Sequence, residues 1–426
     1  VTNRNSLGET YGLATKGFTE AILLRSPQQS DPMKTTLSIF LLLTTFLCTF
    51  DEKDLLAAEK ELPSRFPEFN WEKIPLYMHL RKDKAYTEDE IQFLAKFPLI
   101  TLEKANGHKT YGDVETGSLQ AARAIKKINP KTKILYYRNI LVHYQGYKAN
   151  EQLKQTDKPF LSDAQGNTKL VHRGVREGYD LSNPAVQKWW LQHAKVMVQD
   201  PAIDGIFVDG NIKVLEPNYL KREIGEKKKK EVVRGYEKMM VALRKEIGDE
   251  KLILANILRA RLPKAGLDYL QYFDGSYLEC FELPIGTSRE DYIAQGIAAA
   301  QKAARSGKVI ALTCGLNPPK NSSQLGIDEG HAKAEANRRA IEKRLNYMLG
   351  VFLVIAEKGS YFRIHEGYAW DPDGRWRRWF SQYDRPLGKP RGPAKLHGYE
   401  YTRDFEYASV TVNIQNEEGE ILWKKK

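Results

Sequence analysis

The chain has 426 residues, 42% hydrophobic and 28% charged, with a formal net charge of +12. This composition suits a globular chain with ample core and excludes the disordered and low-complexity classes. The positive balance lies partly in Lys227–Lys230 and Lys424–Lys426, which read as solvated surface, and its overall field favours acidic partners.

In chain order, the first signal follows Met33. Lys34 and an apolar run from Leu37 to Phe50 precede "DEKDLLAAEKE", a secretory pattern whose apolar core is too short to span a bilayer. Residues 33–58 are expected to be a signal peptide, residues 1–32 disordered upstream sequence, and the chain exported with no stable membrane span. Cys48 would leave with the signal, and Cys280 and Cys314 would remain as a pair or as two half-buried thiols. An exported basic chain meets polysaccharide rather than nucleic acid. The expected partner is therefore an anionic polymer, sulfated or uronic, and a monomer is expected.

Eight β-rich runs follow: Ile74–Leu80, Pro98–Lys104, Lys133–Ile140, Gly205–Gly210, Lys251–Ile257, Phe273–Phe281, Lys308–Gly315 and Ser360–Ile364. Helix-period segments separate them, among them "TEDEIQFLAKF" with Thr87 as its cap. In "NPAVQKWWLQHAKVMV", Trp189 and Trp190 read as packing. Eight strands with crossover helices predict an α/β fold, a (β/α)8 TIM barrel over residues 70–370. The rival, an open doubly wound sheet, lacks a Gly-rich nucleotide loop after its first strand. Short alternating runs after "DPDGRWRRWF" predict a small C-terminal β appendage over residues 371–426.

In such a barrel the carboxyl ends of the strands carry the chemistry. "GIFVDG" ends on Asp209, where an Asp-Gly turn is the plain alternative. Two strands on, "FDGSYLECFE" offers Glu279, with Glu282 as its alternate. Strands about 4.8 Å apart put these alternate strands roughly 10 Å apart, and inward side chains close that gap to the separation of a glycosidase pair. Asp209 is the expected nucleophile and Glu279 the acid/base. Other strand ends supply expected substrate contacts: Glu103 and Lys104 with His108, then Tyr137, Arg138 and Asn139 with His143. Asn256 and Arg259 follow, then His365 with Glu366, Tyr368 and Trp370. Lys104, Arg138, Arg259 and Arg261 are expected to ring the mouth and bind anionic groups. Metal-type Cys/His spacing is absent, so neither metal nor cofactor is expected.

The segments "GYDLSNPAVQKWWLQHA", "DGIFVDG", "FLVIAEKGSYFRI" and "DRPLGKPRG...YTRDFEYASVTVN" resemble bacterial glycoside hydrolases of the hypothetical glycosyl hydrolase family 15 type, from about Asn70 onward. The resemblance implies that Asp180 and Asn183 set up the helix before the fourth strand and that Asp209 is the catalytic Asp. More loosely, the chain is similar to endo-fucanases of glycoside hydrolase family 168, which use an Asp and a Glu on sulfated fucans. Only Asp209 and Glu279 carry over. That similarity implies internal cleavage of a sulfated polymer; for the two-carboxylate mechanism itself retention is the expectation, with inversion the alternative. The alternative is a barrel that binds polysaccharide without cutting it; a metal-dependent deacetylase or esterase would need His/Asp clusters that the scattered His residues do not form.

Overall fold

The computed structural model describes residues 62–279, 286–316, 331–365 and 369–425. Its core is one parallel sheet built from β1 (Tyr77–Leu80), β2 (Leu99–Leu102) and β3 (Lys133–Asn139). After a small antiparallel hairpin of β4 (Leu170–His172) and β5 (Arg176–Glu177) come β6 (Gly205–Asp209), β7 (Leu252–Asn256), β8 (Gly275–Glu279), β9 (Val309–Gly315) and β10 (Ser360–His365). The order β1-β2-β3-β6-β7-β8-β9-β10 runs in sequence order, and every neighbouring pair is parallel. A bridge from Leu76 to Phe362, with Phe362 N donating to the Pro75 carbonyl at 2.8 Å, joins the last strand to the first. The eight expected strands are the eight barrel strands, so the predicted fold stands.

Alternation along each strand decides what faces the axis. Tyr77, Leu99, Leu135, Tyr137, Phe207, Leu254, Tyr277, Ala311 and Tyr361 form the inner cluster. Ile134 and Tyr136 belong to the outer layer, between strands and helices. Phe66, with Leu62 and Phe69 against it, packs on the inner cluster from the segment preceding β1.

The two Asp-Gly pairs that open β6 and β8 are structural. Asp204 accepts from Ile134 N at 2.8 Å and pairs with Lys126 at 2.7 Å; Asp274 pairs with Arg65 at 2.9 Å and Arg244 at 2.6 Å. A Cβ on Gly205 would sit 1.9 Å from the Leu252 carbonyl oxygen, so this glycine lets adjacent strands approach.

The helix Glu88–Leu94 starts on a capping box, in which Thr87 N donates to Glu90 Oε2 at 2.8 Å. Asn183 caps the helix Pro184–Val198, accepting from Ala185 N at 2.9 Å, while Asp180 accepts from Ser182 N and pairs with Lys228 at 2.6 Å. Trp189 and Trp190 of that helix are buried, and Trp190 donates to the Asn139 carbonyl at 2.9 Å, which fixes the end of β3.

The tail forms a separate antiparallel sheet of β11 (Lys395–His397), β12 (Glu400–Asp404), β13 (Ala408–Asn413) and β14 (Glu418–Trp423). It lies on the helix His331–Ile355, where Val412 faces Gly350 and Arg403 donates to the Leu353 carbonyl at 3.0 Å. Among the described residues no helix is long and apolar enough to cross a membrane. Residues 1–58, with the expected signal, lie outside the described residues, as do Cys280, Glu282, Glu366 and Tyr368; Cys314 is buried on β9.

Candidate active site

The carboxyl ends of the strands open into a cleft of about 710 Å³. Asp209, the last residue of β6, lines it. Tyr137 donates to Asp209 Oδ2 at 2.5 Å, Asn139 Nδ2 to the same oxygen at 3.2 Å, and Asn256 Nδ2 to Oδ1 at 3.3 Å. Asn139 is itself oriented, because its Oδ1 accepts from Leu141 N at 3.0 Å and Val142 N at 2.6 Å, turning the amide nitrogen toward Tyr137 and Asp209. Burial first, then the charges of Asp209 and Glu103, push the Tyr137 phenol well above its ordinary value, so it stays a donor. Gly210 holds φ +85°, and a Cβ there would lie 2.6 Å from Asn139 Oδ1. The Asp-Gly pair is thus both a turn and the means of presenting a carboxylate to the cleft.

Glu279 ends β8 and lines the same cleft. Asn256 Nδ2 is 3.4 Å from Glu279 Oε2, so one amide group touches both acids. Arg259 donates to the Glu279 carbonyl at 2.8 Å and to the Leu258 carbonyl at 2.8 Å, locking the strand end from which the carboxylate projects.

A third carboxylate, Glu103, follows β2 and is 3% exposed. Its Oε1 meets Lys104 Nζ at 2.5 Å and His79 Nε2 at 3.4 Å, and His79 Nδ1 lies 2.9 Å from the Tyr77 hydroxyl. Burial would raise its pKa, but the His79 hydrogen bond and the Lys104 charge outweigh burial and hold it at about 2. A carboxyl depressed below its ordinary value near 4.3 lends stability that is complete above about pH 4.3 and lost as pH falls toward 2. Wild-type unfolding free energy should therefore drop over that window by an amount on the order of 3 kcal/mol more than in Glu103→Gln. Urea titrations at several pH values measure this, and parallel curves would remove Glu103 from the acid response.

Of the expected site residues, the cleft gathers Asp209, Glu279, Glu103, Lys104, Tyr137, Asn139, Asn256 and Arg259, with Arg261 on its wall. Five lie elsewhere. Arg138 is one residue out of phase with Tyr137 and Asn139, so it points into the helix layer, buried over Tyr147, Trp189 and Trp190 at 5.4, 5.0 and 5.6 Å. Trp370 donates to Glu90 Oε1 at 2.5 Å and stacks under Lys82, away from the sugar face expected of it. His108 turns to the Ala105 carbonyl at 2.7 Å, and His143 pairs with Glu177 at 3.2 Å. His365 ends β10 with its imidazole pushed down to about 3 by burial and by Arg363 and His79. Arg138→Ala should accordingly cost about 2–4 kcal/mol of stability with KM unchanged, read by denaturant unfolding and steady-state kinetics. A raised KM in a fully stable variant would return Arg138 to the mouth.

The sequence reading missed His79, Arg81, His172, Arg173, Arg176, Lys213 and Tyr277, all on the cleft wall. His79 carried a signal, since it shares the inward parity of Tyr77 in an otherwise apolar strand. Seven Lys and Arg side chains and three carboxylates line the cleft.

An eight-stranded barrel with acids at the carboxyl ends of alternate strands is the architecture of a barrel-type glycoside hydrolase. The chain belongs to the hypothetical glycosyl hydrolase family 15, whose family model matches residues 126–409. No curated protein matches the chain in sequence. Solved structures similar in fold include a noncanonic maltogenic alpha-amylase, AmyB, from Thermotoga neapolitana, at 10% identity and a TM-score of 0.43, covering 80% of this chain and 86% of that one. An Anoxybacillus alpha-amylase aligns at 12% identity, 81% and 87% coverage and a TM-score of 0.45. The alpha-galactosidase TtGalA from Thermus thermophilus aligns at 11%, 82% and 68%, with a TM-score of 0.43.

Proposed function

We propose that this glycoside hydrolase is exported and cuts internal bonds of an anionic, sulfated fucan-like polysaccharide with retention of configuration, Asp209 acting as nucleophile and Glu279 as acid/base. The observation that carries the assignment is the Asn256 amide nitrogen in contact with both carboxylates. Those contacts limit the nearest oxygens of the pair to a separation of at most about 7 Å, which favours the shorter spacing of retaining enzymes over most of the inverting range.

The surrounding donors suit the roles. Tyr137, Asn139 and Asn256 donate to Asp209 and fix its plane, so an oxygen can face the anomeric carbon without reorganisation. Glu279 would protonate the departing oxygen and then deprotonate the water that resolves the glycosyl-enzyme. Asn256 and Glu103 both line the cleft and add polar groups to the wall that a sugar would meet. The cationic excess of the wall supports an anionic polymer, and the cleft volume supports a bound segment rather than one monosaccharide.

The test is incubation of the purified protein with sulfated, uronic and neutral polysaccharides, with product sizing and the anomer read by NMR. Early release of mid-sized oligosaccharides from a sulfated polymer, with the starting anomeric configuration, is the expected result. Release of the opposite anomer would remove the nucleophile role from Asp209, and release of monosaccharide alone would remove internal cleavage.

A further inference from the structure

The long connection between β3 and β6 folds the β4–β5 hairpin against the cleft. Tyr219 donates to the Val171 carbonyl at 2.5 Å, and His143 N to the Glu177 carbonyl at 3.0 Å, so the hairpin is anchored at both strands. Its turn holds Arg173 at φ +53° and Gly174 at φ +68°. A left-handed arginine costs backbone energy that Asn or Gly would avoid, and such strain collects at sites where a side chain must be aimed.

Beside the hairpin lies Lys213, on the helical turn Asn211–Leu215, four residues after Asp209. Its Nζ is 2.8 Å from His172 Nδ1. Arg173, Arg176 and Lys104 line the same cleft as Lys213 and His172; burial first, then the charges of these four cations, pull the His172 pKa down, which favours the neutral imidazole that accepts from Lys213. Lys104 has Glu103 as partner. Among the described residues no carboxylate lies within 4.0 Å of the charged nitrogens of Lys213, Arg173 or Arg176. Some cations elsewhere are paired, as in Lys109 with Asp83, Lys131 with Glu68 and Lys195 with Glu246. Asp209 and Glu177 act on Lys213 and Arg176 only from beyond ion-pair distance, so the gathered like charges still repel one another, and a bound anion relieves that repulsion.

We propose that Lys213, Arg173 and Arg176 form an anion subsite in the same cleft as Asp209, which takes a sulfate ester or uronic carboxylate on the sugar at or next to the cleaved bond. Arg supplies a fork of donors matched to such oxygens, and Lys a compact charge held in place by His172. The subsite makes the hairpin a specificity arm, and it rests on the glycosidase reading of the cleft.

The experiment is affinity electrophoresis through gels holding a sulfated fucan, polygalacturonate or neutral dextran, in an Asp209→Asn background so that the polymer stays intact. The Lys213→Gln variant and the Arg173→Ala/Arg176→Ala double variant should each bind one anionic polymer at least about tenfold more weakly, as expected for loss of charged hydrogen bonds. Lys213→Arg should keep retention, and dextran mobility should not change. The polymer whose retention is lost assigns sulfate or carboxylate. Equal retention across the variants, or retention by neither anionic polymer, overturns the subsite; melting temperatures confirm that each variant is folded. Turnover is measured in parallel with Asp209 restored. Lys213-dependent retention without turnover of any polymer would leave the subsite standing and remove the glycosidase mechanism. Asp209-dependent turnover with unaltered retention in the variants would do the reverse.

Discussion

Asp209→Asn should lower kcat on the polymer by about 10³-fold or more while leaving the fold intact. The side chain keeps its shape, so the loss isolates charge. Three donors converge on the wild-type carboxylate, from Tyr137 at 2.5 Å, Asn139 at 3.2 Å and Asn256 at 3.3 Å. They serve to stabilise a negative charge that the amide does not carry, and an amide is a poor nucleophile toward an oxocarbenium-like centre. The same donors explain why the fold should survive: Tyr137 can turn its hydroxyl to accept from the new amide, and the backbone of β6 stays paired with β3 and β7. Reducing-end release measures kcat, and thermal melting checks the fold. Wild-type activity in the Asp209→Asn variant would take the nucleophile role from this residue and leave Asp209 as a rim acid.

How much of this was legible in the sequence follows from which signals are local. Strand runs are local, and all eight were found because each is a β-rich stretch bounded by turn residues. Counting strands then placed Asp209 and Glu279 at one end of one barrel, and the amide between them is the residue that closes the intervening strand, Asn256. Parity was the weaker inference. Lys133–Asn139 reads in sequence as ending in a polar cluster, yet Tyr137 and Asn139 face the cleft and Arg138 faces the helices, because successive side chains of a strand point to opposite faces. Fixing parity from Asn139, the register partner of Asp209, would have excluded Arg138.

Other features depend on contacts that no local pattern encodes. Trp370 bonds Glu90 across 280 positions, so an aromatic side chain that reads in sequence as a sugar platform is a packing element in the fold. The hairpin Leu170–Glu177 is short and charged, with little of the alternation that marks a strand, and nothing in "KLVHRGVREG" says which surface it covers. The Asp-Gly pairs show the same limit. Asp204 and Asp209 have the same right-hand neighbour, but one begins a strand among cations and the other ends it among amides. Position along the strand separates a residue held in ion pairs from one presented to the cleft, as the two faces of a barrel lead one to expect.

Glu279→Gln should divide substrates by leaving group. On the polymer, whose departing oxygen needs a proton, kcat/KM should fall by about 10²–10⁴-fold. On an aryl glycoside with an activated phenol the first step needs no acid, so glycosylation should run at close to the wild-type rate. The second step still lacks its base, because the group that protonates the leaving oxygen also deprotonates the water. The glycosyl-enzyme on Asp209 should then accumulate, giving a burst of phenol equal to the enzyme concentration followed by slow turnover. Azide, a nucleophile that needs no base, should restore the slow phase and yield a glycosyl azide. The geometry supports this division of labour. Asn256 touches both carboxylates, and Arg259 holds the Glu279 backbone rather than bridging its carboxylate to Asp209, so removing the Glu279 charge leaves the nucleophile's own donors in place. Equal losses on polymer and aryl glycoside, with no burst, would move the acid/base role to another carboxylate, with Glu282, outside the described residues, as the alternate.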